Sequence, residues 1–175
     1  MKRIPETTAL RRLKLIRESF RITIKHEYEH KAKDCLNCNE MGSCCLDAHF
    51  VNVHISRIEA VAIIKALDSQ DIHFRAHLAE RIRSVSTKLK NETGSVEYGK
   101  TYTCPLFEKG IGCLVHHDAK PVPCISHGCY ENRHDQPPEE LLEEKERELS
   151  RLNSQTYGLA WNWLPLPVWL ERMLS

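Results

Sequence analysis

Eight cysteines fall into two runs, Cys35, Cys38, Cys44 and Cys45, then Cys104, Cys113, Cys124 and Cys129. Thiolates are soft, polarisable ligands, and gathering them this way makes metal binding the first chemistry to consider. Cys35 and Cys38, separated by two residues, can turn both sulfurs toward one centre and form a strong half-site. Cys44 and Cys45 differ, because adjacent side chains on extended backbone point apart. They are expected to serve different irons of one cluster or different sites, or to leave one thiol unligated. Eight sulfurs would make two four-cysteine sites, or one four-cysteine cluster with spare thiols. Four thiolates around Zn²⁺ or a cubane cluster leave net negative charge, and Lys31, Lys33, Lys109, Lys120 and Arg133 stand at sequence positions that can help offset it.

A chain of 175 residues is long enough to build an ordinary core without a metal to hold it together. Its apolar fraction of 41% and charged fraction of 28% are those of a globular protein, and a net charge of +1 gives no general attraction to nucleic acid or acidic membranes. Met1-Lys2-Arg3-Ile4-Pro5 leads into a charged helix rather than a secretory leader. The most apolar stretch, Leu159 to Leu170, is interrupted by Asn162, Pro165 and Pro167, so no membrane span is expected. A cytoplasmic location follows as the expectation, and in a reducing compartment eight cysteines read as metal ligands or reactive thiols. Four disulfides are the alternative and would need an export route.

The elements that must position these thiols begin with a helix capped by Thr7 or Thr8 and running to about Lys33. Leu10, Leu13, Ile16, Phe20, Ile24 and Tyr28 form its inner stripe, and Arg11, Arg12, Lys14, Arg17, Arg21 and Lys25 a solvated basic face. Within it, His26-Glu27-Tyr28-Glu29-His30 reproduces the H-E-x-x-H string, whose histidines share one helical face at i and i+4. Crowding by Lys25, Glu29 and Lys31, with no third ligand at a telling spacing, argues against a metalloprotease. His26 or His30 is left as a group able to hydrogen-bond around the nearby cysteines.

Asp34 to Asp47 reads as an irregular loop, and Ala48 to Ile55 as a short strand. Ser56-Arg57-Ile58-Glu59 is a capping box opening a helix through Leu67. A third helix carries Ile72, Leu78, Ile82, Val85 and Leu89 to near Gly94, with His73 and His77 expected to be exposed. Cys104 and Cys113 sit on two short apolar arms joined by Glu108-Lys109-Gly110-Ile111-Gly112, a hairpin that would bring them close together. Pro138 to about Leu152 is an acidic helix, complementary in sign to the first. The tail, with Trp161, Trp163, Trp169 and several leucines, is too apolar for water and is expected to pack on the core, the alternative being a docking surface for a protein partner.

The cysteine pattern resembles the CxxCxxCC signature of the YkgJ-type cysteine-cluster proteins. Cys104-Pro105-Leu106-Phe107, Gly112-Cys113-Leu114-Val115 and Lys120-Pro121-Val122-Pro123-Cys124 follow that family's CPfL, CxIY and RPxxC elements in order. The likeness spans about Cys35 to Cys129. Three extra residues separate Cys38 from the Cys44-Cys45 pair, Lys120 stands where arginine is usual, and Ile125 replaces the arginine after Cys124. The last two departures remove guanidinium groups suited to hydrogen-bonding sulfur or carboxylate. The resemblance implies a bound zinc or iron but no particular reaction. Some members are linked to lysine methylation of flagellin, which makes a metal-containing methyl-transferring enzyme one alternative by analogy. No glycine-rich adenosine-cofactor motif stands in this chain.

The resulting expectation is a single, mostly helical α+β domain spanning 1–175. A basic helix (1–33) leads into a cysteine-rich metal-binding core with short strands (34–130), followed by an acidic helix and Trp-rich tail (131–175). All eight cysteines are the candidate ligands. An iron-sulfur cluster is preferred over zinc for the Cys104-Pro105 step and the all-cysteine donor set, with a redox, sensing or metal-handling role. A binding module with a structural zinc is the further alternative, and nucleic acid is not an expected partner.

Overall fold

The computed structural model describes residues 3–33, 42, 45–46, 51–158 and 163–174. Among them are six α-helices and a few two-residue antiparallel strands, so the protein is α+β and mostly helical. The chain divides into two compact units. One comprises Met1–Met41 with Pro121–Asn162, the other Gly42–Lys120 with Trp163–Ser175.

In the first unit, α1 spans Glu6–Glu27 with Pro5 as its N-cap, two or three residues earlier than a threonine cap would place it. Pro5 holds extended backbone and its carbonyl accepts the Ala9 amide at 3.0 Å, which starts the helix without a hydroxyl. The buried line is Ala9, Leu13, Arg17, Phe20 and Ile24. Arg17, expected on the solvated face, is therefore buried, while Arg11, Arg12, Lys14 and Lys25 are exposed as expected. α1 stops at Glu27 rather than Lys33, because Tyr28 leaves helical backbone and Ala32 turns extended to pair with Tyr130.

Two further helices complete this unit, α4 (Val122–Ser126) and α5 (Glu139–Tyr157). α5 outruns its expected end at Leu152 and closes at Gly158, whose φ of 77° gives the left-handed cap. It packs antiparallel to α1. The Ile4 amide donates to the Gln155 carbonyl at 3.0 Å, and the Tyr157 hydroxyl to Glu6 Oε2 at 2.8 Å. Leu149, Leu152, Asn153 and Thr156 are its buried residues.

In the second unit, β1 (His54–Ile55) pairs antiparallel with β4 (Leu164–Pro165), leading into α6 (Leu166–Leu174). α6 packs against α2 (Arg57–Leu67) and α3 (Ile72–Lys88). The core joins Ile55, Ile63, Ile82, Leu106, Leu166 and Leu170, with Trp169 only 5% exposed. Burying each such side chain contributes roughly 1.5–3 kcal/mol, which is why the apolar tail folds inward. The capping box forms as expected, with Glu59 Oε2 accepting from both the amide and the hydroxyl of Ser56 at 3.0 Å. α3 ends at Lys88, short of Gly94, because Asn91 Oδ1 gathers the amides of Thr93 and Ser95 into a turn. Among the described residues no helix is long and apolar enough to cross a membrane.

Candidate metal centre

Cys45, Cys104, Cys113, Cys124 and Cys129 are described, and each is half-buried. Cys35, Cys38 and Cys44 lie outside the described residues.

In the second unit three cysteines come from one cluster of loops. Cys45 lies in a tight helical turn, its amide donating to the Gly42 carbonyl at 2.7 Å. The expectation for the Cys44-Cys45 pair falls on Cys44, which lies outside the described residues. The Cys104 amide donates to the Cys45 carbonyl at 2.8 Å, tying together two cysteines distant in sequence. The expected hairpin follows, with β2 (Phe107–Glu108) antiparallel to β3 (Gly112–Cys113). Cys113 stands opposite Phe107, and the Leu114 amide donates to Leu106 at 2.9 Å. Gly110 at φ 84° and Gly112 at φ 95° supply the left-handed backbone that the turn requires. The hairpin is braced on its flank by Arg81, whose guanidinium meets Glu108 at 2.8 Å.

In the first unit Cys124 lies on α4, whose entry is stiffened by Pro121 and Pro123. Cys129 is held by its backbone. Its carbonyl accepts the Lys33 amide at 2.7 Å, and the next residue, Tyr130, forms a bridge with Ala32. Lys33 is two residues before Cys35 in the chain. Burial, then the negative charge of Glu29 and the neighbouring Tyr28, pushes the Tyr130 hydroxyl above its usual range. Lys33 pairs with Glu131 at 3.4 Å, both exposed, and the Lys31 ammonium lies 5.3 Å from the Tyr28 ring centre.

His26 and His30 are not on one helical face. The helix ends between them, and both are exposed, so the H-E-x-x-H string lacks the geometry of a zinc pair. His73 and His77 are exposed, as expected. Sequence reasoning passed over His54, which stacks on Tyr98 with ring centres 5.7 Å apart and whose Nδ1 lies 3.2 Å from the Asn52 carbonyl. Burial lowers its pKa and the Asn52 contact partly restores it. Also passed over were His116 and His117, edge to face at 4.8 Å, with the His116 amide donating to the Cys113 carbonyl at 3.1 Å. The spacing Cys113-x-x-His116 was the signal for them.

Among the described residues no group of three or more His, Cys, Asp or Glu side chains is arranged to hold a metal ion. The donor set fits a thiophilic metal by its chemistry. It consists of half-buried thiols, of which Cys104 and Cys129 are carried on hydrogen-bonded loops, Cys104 also packing against the edge of the apolar core. The fold and these thiols define a mostly helical α+β protein with cysteine-bearing loops in each of its two units. The chain matches no family model, no curated protein and no solved structure among those compared with it.

Proposed function

We propose that this is a cytoplasmic metal-binding protein in which Cys35, Cys38, Cys44, Cys45, Cys104, Cys113, Cys124 and Cys129 hold an iron-sulfur cluster or zinc, with a redox, sensing or metal-handling role. The observation that carries this reading is the Cys104 amide bonded to the Cys45 carbonyl, which joins the first cysteine run to the second. A chain with a full apolar core has no need of such loops for stability, and half-burial of the thiols suits ligands screened from bulk water. The resemblance to YkgJ-type cysteine-cluster proteins supports a bound zinc or iron, and the Cys104-Pro105 step and all-cysteine donor set favour iron. A bound cluster would supply one-electron redox chemistry, whereas zinc would act as a structural or Lewis-acid centre.

The test is the visible spectrum and metal content of protein purified without oxygen, repeated with Cys38→Ser. Brown protein containing iron and sulfide, bleached by reductant and lost in the variant, is the expected result. Stoichiometric zinc in a colourless protein would replace iron with zinc in the proposal. Eight titratable thiols and no metal would overturn it.

A further inference from the structure

We infer that Cys45 and Cys104 form a redox-active dithiol, which a low-molecular-weight disulfide such as oxidised glutathione closes into an intramolecular Cys45–Cys104 disulfide. The inference concerns the metal-free protein and goes beyond the metal-binding reading without resting on it. Both residues belong to the second unit, both are half-buried, and neither is in a disulfide. The Cys104 amide donates to the Cys45 carbonyl at 2.8 Å, and that bond limits how far apart the two residues can be. Standard backbone geometry places the Cys104 Cα about 1.5 Å from the donor nitrogen and the Cys45 Cα about 2.4 Å from the acceptor oxygen. The two Cα atoms are therefore at most about 6.7 Å apart. A disulfide spans Cα separations of roughly 4.4–6.8 Å, so the backbone meets its first requirement.

The two cysteines also sit at matching ends of two turns. The Cys45 amide donates to the Gly42 carbonyl at 2.7 Å and closes one, while the Phe107 amide donates to the Cys104 carbonyl at 3.2 Å and closes the other. At the far ends the Phe107 ring lies so close to Gly42 that an added Cβ would overlap it. The turns are thus held together at both ends, and closure of the bond is left to rotation of the side chains. Cys113 stands opposite Phe107, at the far end from Cys104, which singles out Cys45 as its partner. Half-burial leaves the sulfurs within reach of a small disulfide. One thiolate attacks a sulfur of oxidised glutathione, forming a mixed disulfide and expelling one glutathione thiolate. The second attacks the protein sulfur of that mixed disulfide and expels the other. The protein loses two electrons and two protons, and one oxidised glutathione becomes two of glutathione. In a reducing compartment such a bond is transient, which suits a sensor of thiol–disulfide poise.

The test exposes reduced, metal-free, full-length protein to glutathione buffers of rising oxidised fraction, then alkylates the remaining thiols and maps linked tryptic peptides by mass spectrometry. Cys104 is alone in the peptide Thr101–Lys109, whereas Asp34–Arg57 carries Cys45 and Gly110–Arg133 carries Cys113, Cys124 and Cys129. The first link to appear is expected to join Thr101–Lys109 to Asp34–Arg57. Cys45→Ser should abolish that link and Cys44→Ser should retain it. Should a variant fail to fold, fragment spectra of the wild-type linked peptide give the same answer by placing the bond at Cys45. A link from Thr101–Lys109 to Gly110–Arg133, a bond through Cys35, Cys38 or Cys44, or a Cys104 that stays alkylatable throughout would overturn the inference. None of these results bears on metal content, so the metal-binding reading stands or falls separately.

Discussion

The backbone amide of Lys33 donates to the carbonyl of Cys129 at 2.7 Å, two residues before the CxxC pair begins. The bond belongs to the main chain, and the Lys33 side chain makes an exposed pair with Glu131. Lys33→Pro removes the donor and, on the proposed function, should weaken Co²⁺ binding by the protein several-fold, with a stability cost of about 1 kcal/mol. Lys33→Ala keeps the amide and should cost no more than about 0.5 kcal/mol. Equal Co²⁺ affinities for the two variants would show that the bond does not position these thiols.

Gly42 precedes the Cys44-Cys45 pair at φ 84°, and a Cβ added there would overlap the Phe107 ring. Phe107 is also the residue paired with Cys113. Gly42→Ala therefore strains the backbone and pushes on the hairpin, and should destabilise the protein by more than about 1 kcal/mol and, on the proposed function, reduce the metal it binds. Gly99→Ala meets nothing within 4 Å and serves as the control. Thermal unfolding and metal analysis of the two proteins decide the matter; indistinguishable results would dismiss a positioning role for the Gly42 turn.

Features that depend on near neighbours in sequence were legible. The Ser56-Arg57-Ile58-Glu59 box, the hairpin around Gly110 and Gly112, and the inward packing of the Trp169 tail each follow from local spacing or bulk apolarity. What was illegible was decided by partners distant in the chain. Arg17 looked like part of a solvated stripe, yet the packing of α1 buries it. The H-E-x-x-H string looked helical throughout, yet pairing of Ala32 with Tyr130 ends the helix inside it. The cysteines were recognisable as a set, but Cys35, Cys38 and Cys44 lie outside the described residues, and the backbone bond between Cys104 and Cys45 joins positions that no local pattern brings together.

Glu59 is 1% exposed and begins α2 with one carboxylate oxygen that serves both the amide and the hydroxyl of Ser56. Glu59→Ala leaves a buried amide without its acceptor and should cost about 1–3 kcal/mol. Ser56→Ala removes the cap hydroxyl alone and should cost about 1 kcal/mol. Urea unfolding of both, with the double variant, measures their coupling. Additive effects would mean that the two side chains do not act as one cap.

Glu171 on α6 accepts from the Ser86 hydroxyl at 2.8 Å and pairs with the Lys90 ammonium, joining α6 to the end of α3. Burial pushes its carboxyl up, but hydrogen bonds from Lys90 and Ser86 and the charges of Lys90 and Arg83 together outweigh burial and hold it below the usual glutamate range. An unfolded glutamate titrates near about pH 4.3, and a lower folded value means that the folded state holds the proton less tightly. The stabilisation is therefore complete above that pH and is lost as pH falls through the folded value. Glu171→Gln should lower the urea midpoint at neutral pH, and the gap between wild type and variant should close as the pH is taken below about 4. Because Gln still accepts from Ser86, the part of the gap that closes with acid reports the charged pair with Lys90. A gap that stayed constant down to about pH 3 would assign the effect to packing and not to the carboxylate.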